Sequence, residues 1–242
     1  MHFAKQVVRR AFGLLGLRIS RAAESPAPAR PIAPVHHRVD VVFDIGANAG
    51  QYGSDLRRQG YHGRIVSFEP LPDAHELLVQ RAAVDAAWTV HPRAALGASI
   101  GDVEINIAGN SYSSSILPML PAHLEAAPGS QYVGTVRTQL VTLDSVVPQY
   151  LRPGERAFLK IDTQGSETDV LKGATASLDQ IMGVQLEITL VPLYEGQDLY
   201  DVHLEFFRTR GFVLWDAERV FHDERSGRCL QLDAVFVRQE YC

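Results

Sequence analysis

The 242-residue chain is expected to form an α/β fold, in which a mostly parallel sheet carries helices on both faces. Three observations predict this fold. From about residue 39 onward, short apolar runs typical of buried strands alternate with stretches of helical spacing. Acidic or glycine-rich turns follow several of these runs, as they do in α/β ligand sites. Two stretches between residues 101 and 141 instead alternate polar and apolar residues, which predicts a β-rich insertion after the third strand.

The first half of the chain supplies three of the predicted parallel strands. Apolar runs predict strands over 39–44, 64–68 and 88–91. Helices are predicted over 51–59 and 73–84, the second with Pro72 just before it, because proline lacks the N–H that the first helical turn leaves unpaired. Half-exposed strands over 101–107 and 135–141 form the insertion, with a serine-rich loop and a proline-containing stretch between them.

The second half returns to buried strands and helices. Strands are predicted over 158–162 and 184–190, and a helix that ends at about residue 178 lies between them. A helix over 200–210 and two strands, over 212–215 and 230–237, complete the chain. Because strands and helices alternate, the sheet is predicted to be parallel in its greater part.

A basic segment and a linker precede the domain, so the chain divides into residues 1–35 and the domain 36–242. Residues 1–30 contain six basic side chains and one acid, and apolar residues recur there at helical spacing. Four prolines among alanines, at 26, 28, 31 and 34, indicate a semi-rigid linker. The helix is too short and too charged to span a bilayer. Residues 1–21 could lie on an anionic membrane surface, or the helix could pack on the domain or on a partner subunit.

The composition excludes several classes of protein. Apolar residues make up 46% and charged residues 21% of the chain, as in ordinary soluble proteins. Beyond residue 30 the chain has 17 basic and 27 acidic side chains, a balance that does not suit nucleic-acid binding. Two cysteines without a CxxC pair exclude a disulfide framework and the usual zinc clusters. We therefore expect a cytoplasmic protein, free or peripheral at the inner membrane face.

The most informative stretch is the glycine turn Asp44-Ile45-Gly46-Ala47-Asn48-Ala49-Gly50, which follows the first strand. Glycines let main-chain N–H groups approach a ligand closely, although they also occur in plain strand-to-helix turns. Glu69 and Pro70 follow the second strand, where an acidic residue binds the ribose hydroxyls of nucleotides, although strands also end in solvated acids. The two features together predict a nucleoside-containing cofactor. They disfavour NADP, whose 2′-phosphate a carboxylate would repel.

Two further carboxylates belong to the predicted crevice. Because ligands bind outside the carboxyl ends of parallel strands, Asp44, Glu69, Asp162 and Glu187 are all expected to face it. Asp162 is a candidate general base or acceptor for a substrate hydroxyl, and equally a candidate cap of the following helix. Glu187 interrupts an apolar strand, so its charge requires a partner or a site.

The serine-rich loop is a candidate substrate contact. Ser113, Ser114 and Ser115 could present hydroxyl groups to a polar ligand, although such loops often have no role in binding. His91 and His123 lie in no recognisable catalytic arrangement, and the sequence contains no convincing metal pair.

Taken together, the motifs resemble those of FkbM-type methyltransferases over about residues 39–238. The resemblance is carried by segments in the family's order: 43–52, 67–70, 94–97, 113–115, 142–144 and 159–167. It implies a Rossmann-like class I methyltransferase with a seven-stranded sheet. It further implies S-adenosylmethionine-dependent O-methylation of a hydroxyl on a sugar, glycolipid or related secondary metabolite. The implied acceptor is a small molecule or a lipid-linked glycan.

The resemblance also implies roles for individual residues. The cofactor-binding residues would be Asp44, Gly46, Ala47, Asn48, Gly50, Gln51, Glu69, Pro70, Ala94 and Ala95. Asp162 and Glu187 would be catalytic. One departure is visible, because the usual D-x-E-G has Gln164 in place of the glutamate. With one carboxylate missing, we expect no required metal.

Two other hypotheses remain open at this point. An NAD-linked oxidoreductase could use the same crevice, although the third glycine of the dinucleotide motif is absent. A non-catalytic scaffold could keep the fold without the chemistry.

Overall fold

The computed structural model describes residues 32–242, so the predicted N-terminal helix and most of the linker lie outside the described residues. The strands are β1 (Val41–Ile45), β2 (Arg64–Phe68), β3 (Trp88–Val90), β4 (Ala95–Leu96), β5 (Gly101–Ala108), β6 (Tyr132–Val141), β7 (Ala157–Ile161), β8 (Ile181–Thr189), β9 (Phe212–His222) and β10 (Cys229–Arg238). The helices are α1 (Ala33–His36), α2 (Gln51–Arg58), α3 (Pro72–Ala82), α4 (Pro121–Ala126), α5 (Leu143–Val146), α6 (Glu167–Lys172) and α7 (Tyr200–Arg208).

Seven strands form the main sheet, in the order β3-β2-β1-β7-β8-β10-β9. The first five are parallel, and β10 runs antiparallel to both of its neighbours. The strand order changes direction between β1 and β7: the earlier strands β2 and β3 lie on one side of β1, and the later strands lie on the other. Such a switch point opens a crevice at the carboxyl ends of the two strands. This is the mostly parallel, Rossmann-like methyltransferase sheet that the sequence motifs imply.

The insertion between β3 and β7 forms a second, three-stranded sheet in the order β4-β6-β5. Its two long strands pair antiparallel, and β4 pairs parallel with β6. The predicted β-rich insertion is therefore confirmed. The sequence did not predict β4, because two residues are too few to show an alternating pattern.

The apolar residues of the central strand pack on both faces of the main sheet. Val41, Phe43 and Ile45 belong to one core cluster and Val42 to another. Because successive side chains point to opposite faces, Asp44 lies on the same face as Val42. That placement determines its surroundings in the site.

Some predicted boundaries differ from the observed ones. The helix expected to reach residue 178 ends at Lys172, and its C-cap is Gly173, which packs so close to the carbonyl oxygen of Gly97 that a Cβ would collide with it. A separate 3-10 turn follows at Ser177–Gln180. The strand predicted over 212–215 extends to His222, since β9 pairs along its length with β10 although its side chains are mostly exposed.

Helix α1 begins at Ala33, three residues before the predicted domain start at residue 36. Ala33 and Pro34 of α1 are already buried. Among residues 32–242, the structure contains no helix of the length and apolar character that crossing a membrane requires.

Candidate active site

A cavity of about 260 Å³ opens at the carboxyl ends of the parallel strands. The residues that line it are Ile45, Gly46, Asn48, Phe68, Glu69, Pro70, Leu71, Ala94, Ala95, Leu96, Ile105, Ser111, Tyr112, Ser114, Ser115, Ile116, Asp162, Thr163, Gln164 and Glu187. They come from the main sheet, from the insertion and from the loop after β7. The insertion thus covers the crevice that the main sheet creates.

The glycine turn after β1 forms one wall of this cavity. Gly46 has a φ of +74°, and a Cβ there would collide with the carbonyl oxygen of Asp162. Only glycine combines this backbone conformation with so close an approach. The main-chain N–H groups of Gly46 and Ala47 both donate to the carbonyl oxygen of Phe68, at 3.1 and 3.0 Å. The turn is thereby tied to the end of β2.

Glu69 joins the glycine turn to the loop after β2. Its two oxygens accept the main-chain N–H groups of Asn48 at 2.7 Å and Leu71 at 2.8 Å. The side chain lines the cavity, yet the residue is only 4% exposed. Burial raises the pKa of Glu69 to about 7, against the opposing effect of these two hydrogen bonds. The carboxylate is therefore held at the cavity beyond the end of β2, and its contact with ribose hydroxyls stays a prediction.

Asp44 does not face the cavity, so the expectation that four carboxylates share one crevice is wrong for this residue. It is completely buried, and its Oδ2 accepts the Ser67 hydroxyl at 3.2 Å. The Lys160 ammonium lies 3.3 Å from Asp44 Oδ1 and 3.5 Å from Asp162 Oδ2. The strand continues to Ile45, which places Asp44 inside the sheet rather than at its tip.

Asp162 and Glu187, both lining the cavity, are joined by one amide group. The Gln164 Nε2 donates to Asp162 Oδ1 and to Glu187 Oε2, each at 2.8 Å. The Tyr194 hydroxyl donates to the amide oxygen of Gln164 at 2.8 Å, which fixes the amide orientation. Gln231 donates a second amide hydrogen to Glu187 Oε2 at 2.7 Å. The site therefore holds two carboxylates joined through a neutral amide, and Lys160 lies beside one of them, Asp162.

The surroundings of Glu187 raise its affinity for a proton. Burial, and then the charge of Asp162, raise the pKa of Glu187 well above its ordinary range. A carboxylate with a raised pKa is better matched to accepting a proton near neutral pH than an ordinary one.

Asp162 does not cap the following helix, which was the competing prediction for it. Glu167 instead provides the hydrogen-bond acceptor before this helix: its carboxylate accepts the main-chain N–H groups of Thr163 and Gly165. The side chain of Asp162 is 35% exposed and faces the cavity. A role toward a ligand is thus geometrically open to it.

The serine-rich loop is divided between the cavity and the protein interior. Ser114 and Ser115 line the cavity, and the Ser115 hydroxyl donates to the carbonyl oxygen of Gln164 at 2.6 Å. Ser113 is buried and lies 3.0 Å from Nε2 of His123. Burial lowers the pKa of His123 to about 4, so this histidine is neutral near pH 7.

The other predicted cofactor residues fall into two groups. Pro70, Ala94 and Ala95 line the cavity, whereas Ala47, Gly50 and Gln51 do not. Gly50 is needed for packing, since a Cβ there would press on Leu78 and Trp88. The side-chain amide of Gln51 donates to the hydroxyl of Tyr112, a lining residue, at 3.1 Å. Among the described residues, no group of three or more acidic, histidine or cysteine side chains is arranged to hold a metal ion.

Three residues of the site were not assigned a role from the sequence: Lys160, Gln164 and Tyr194. Lys160 interrupts the apolar run of β7, and a buried cation of this kind is a signal that could have been used. Gln164 was noted only as a departure from a motif. Tyr194 lies in a loop and carries no local signal at all.

Comparisons with known proteins agree with this geometry. A family model described as the methyltransferase FkbM domain matches residues 44–214. A hexuronic acid methyltransferase, AglP, of Haloferax volcanii is 25% identical over 163 residues, covering 67% of this chain and 59% of that protein. The methyltransferase sdnD of Sordaria araneosa is 28% identical over 156 residues, covering 54% and 59%. The chain thus spans about three fifths of the length of these curated relatives.

Solved structures resemble the chain more distantly. An rRNA methylase from Streptococcus thermophilus aligns with a TM-score of 0.45 at 12% identity, over 88% of this chain and 99% of that one. A precorrin-6y C5,15-methyltransferase from Geobacter metallireducens aligns with a TM-score of 0.41 at 12% identity, over 83% and 81%.

Proposed function

The chain belongs to the FkbM methyltransferase family, and we propose that it uses S-adenosylmethionine to methylate a hydroxyl group of a sugar, glycolipid or related secondary metabolite. One observation carries this proposal. A single cavity has a glycine turn and a buried carboxylate at one wall and the amide-linked pair Asp162 and Glu187 at another. The first set suits a nucleoside, and the second suits an acceptor hydroxyl.

The residues present fit the proposed cofactor. Gly46 presents only main-chain atoms to the cavity that it lines, and the Glu69 carboxylate offers oxygens for the two ribose hydroxyls. The lining contains three carboxylates and, among the described residues, no lysine, arginine or histidine. In their ionised form these carboxylates suit a positively charged ligand. When bound, S-adenosylmethionine would supply an electrophilic methyl group carried on a sulfonium.

Asp162 and Glu187 are proposed to orient the acceptor hydroxyl and to take its proton. Gln164 and Gln231 both occupy Oε2 of Glu187, whereas Oε1 has no hydrogen-bond partner among the described residues. That oxygen is available to accept a hydrogen bond from the acceptor. The hydroxyl proton would then pass to a carboxylate oxygen of the pair. Ser114 and Ser115 are proposed as further acceptor contacts.

The charge of the cavity favours an uncharged acceptor over an acidic one. A ligand carboxylate in it would lie near Asp162 and Glu187, whereas Lys160 does not line the cavity and already contacts Asp162. A matched set of a hexoside, the corresponding hexuronoside and its hexuronamide would test this. We expect the hexoside and the amide to be methylated at least about tenfold more efficiently than the acid. Equal use of the acid would contradict the preference.

Ligand binding separates this proposal from its rivals. Calorimetry with S-adenosylhomocysteine and NAD side by side should show binding of the first alone, and tight binding of NAD alone would overturn the proposal. The comparisons give no support to an oxidoreductase. A scaffold that binds no cofactor would show the same result for the wild type and for Glu69→Ala. A methyl-transfer assay against fractionated glycolipids and small polar hydroxyl compounds would then identify the acceptor.

We propose further that residues 1–35 form a separate segment, of which residues 1–21 bring the domain to an anionic membrane surface. The six basic residues among the first 30 support this, and a lipid-linked acceptor would explain it. Deleting residues 1–30 should reduce co-flotation with vesicles that contain anionic lipid, and neutral phosphatidylcholine vesicles are the control. Unchanged partitioning would refute the membrane contact.

A further inference from the structure

We propose that Lys160 is a positioning residue for the methyl-donor site, because its ammonium group fixes the orientation of the Gly46–Ala47 peptide. The inference rests on the proposed function, since the wall that this peptide forms is the proposed cofactor wall. Lys160 itself does not line the cavity.

The hydrogen bonds of Lys160 go to the main chain of the glycine turn. Its Nζ donates to the carbonyl oxygen of Gly46 at 2.9 Å and to that of Ile45 at 3.4 Å. Asp44 Oδ1 lies 3.3 Å away but accepts no hydrogen bond from it or from any other described group. If Lys160 served only as a counter-ion, its shortest contact would be expected at a carboxylate.

The Gly46–Ala47 peptide is held from two sides. Its carbonyl oxygen accepts from Lys160, and its N–H, on the opposite edge of the peptide plane, donates to Phe68 at 3.0 Å. The next residue, Asn48, donates its N–H to Glu69. The Lys160 ammonium therefore contacts the same turn whose next residue, Asn48, binds the Glu69 carboxylate proposed for the ribose.

A glycine turn needs such a restraint. Gly46 has no Cβ, so steric hindrance to rotation of the following peptide is small. Without Lys160 the partly buried carbonyl oxygen of Gly46 would lose its hydrogen bond, which favours rotation of the peptide toward water. That rotation would withdraw the Ala47 N–H from Phe68 and displace Asn48 from Glu69. The cofactor wall would lose its shape while the sheet beneath it remained.

Charge balance with Asp44 is the competing role, and this part of the electrostatics can be removed from the comparison. Lys160→Met alone leaves Asp44, which is fully buried, without its cation. The full-length double variant Asp44→Asn with Lys160→Met removes both charges, and Asp44→Asn alone is its reference. We expect the double variant to bind S-adenosylhomocysteine at least about tenfold more weakly than the Asp44→Asn reference. Its melting temperature should stay within a few degrees of the reference.

Each outcome decides between defined alternatives. Equal affinity of the double variant and its reference would overturn the inference and leave Lys160 as a counter-ion. Absence of binding by the wild type would instead contradict the proposed function. If the double variant does not fold, nitrogen-15 spectra of the wild-type lysine ammonium groups decide. The Lys160 signal should be protected from exchange and should shift when S-adenosylhomocysteine is added, and an unresponsive signal would refute the inference.

Discussion

Replacement of Glu69 by glutamine should abolish the pH dependence of cofactor binding that we expect for the wild-type protein. Burial raises the pKa of Glu69 to about 7, and its ionised form accepts hydrogen bonds only. Ribose hydroxyls are donors to such a group. The affinity of the wild type for S-adenosylhomocysteine should therefore rise about tenfold per pH unit below pH 7 and level off above it.

The structure allows the size of the effect on stability to be worked out. Ionising Glu69 in the folded protein instead of the unfolded chain, where its pKa is 4.5, costs about 3 kcal/mol. The pKa of Glu69 is higher in the folded state than in the unfolded state. The free energy of unfolding is therefore not reduced by this cost below pH 4.5, and it falls by about 3 kcal/mol as the pH rises to about 7. Glutamine removes that cost. It also turns an amide N–H toward one of the two main-chain donors, from Asn48 and Leu71, which costs about 1–3 kcal/mol.

The two effects on stability nearly offset each other at pH 8, but the effect on binding does not. We expect the melting temperature of Glu69→Gln at pH 8 to lie within a few degrees of the wild type. Its affinity for S-adenosylhomocysteine should be roughly 10- to 100-fold weaker, since hydrogen bonds to a charged group contribute about 1.5–3 kcal/mol. Calorimetric titrations from pH 5.5 to 8.5 measure both quantities. A variant with the wild-type pH profile, or with unchanged affinity, would refute the reasoning.

Three further predictions concern the turn and the acceptor side. Gly46→Ala should lower the melting temperature far more than Gly60→Ala, because both have positive φ but only the first Cβ meets main-chain atoms; similar shifts in scanning fluorimetry would contradict this. Glu187→Gln should bind S-adenosylhomocysteine as the wild type does, while methyl transfer falls by about 100-fold or more; retained transfer would exclude Glu187 as the base. Tyr194→Phe frees the Gln164 amide to turn, so the pH–rate profile should shift with little change in KM for the methyl donor, and an unshifted profile would argue against this orientation.

Much of the fold follows from local sequence patterns. The strand over 64–68 and the start of the helix at Gln51 agree with their predictions, because apolar runs and turn residues act over a few positions. The length of β9 does not follow from its sequence. Its exposed residues are held in a strand by pairing with β10. The pairing runs from His222 and Cys229, near the hairpin turn, to Phe212 and Arg238, which are far apart in the sequence.

The candidate site divides in the same way. The sequence placed Gly46 and Glu69 at one wall, since each follows a strand and the carboxyl ends of parallel strands meet at one edge. The sequence did not place Asp44 correctly. The predicted strand ended at residue 44, whereas β1 ends at Ile45, so the Asp44 side chain lies within the sheet instead of at the crevice.

The sequence by itself determined the family, the mostly parallel sheet and the glycine turn, because each depends on motifs within about ten residues. Only the tertiary structure decided which groups surround the acceptor side of the cavity. Gln164 meets Glu187 across 23 positions and Tyr194 across 30, through the pairing order of the sheet and the course of a loop. Contacts at such separations depend on how the elements pack, and no local pattern of residues encodes them.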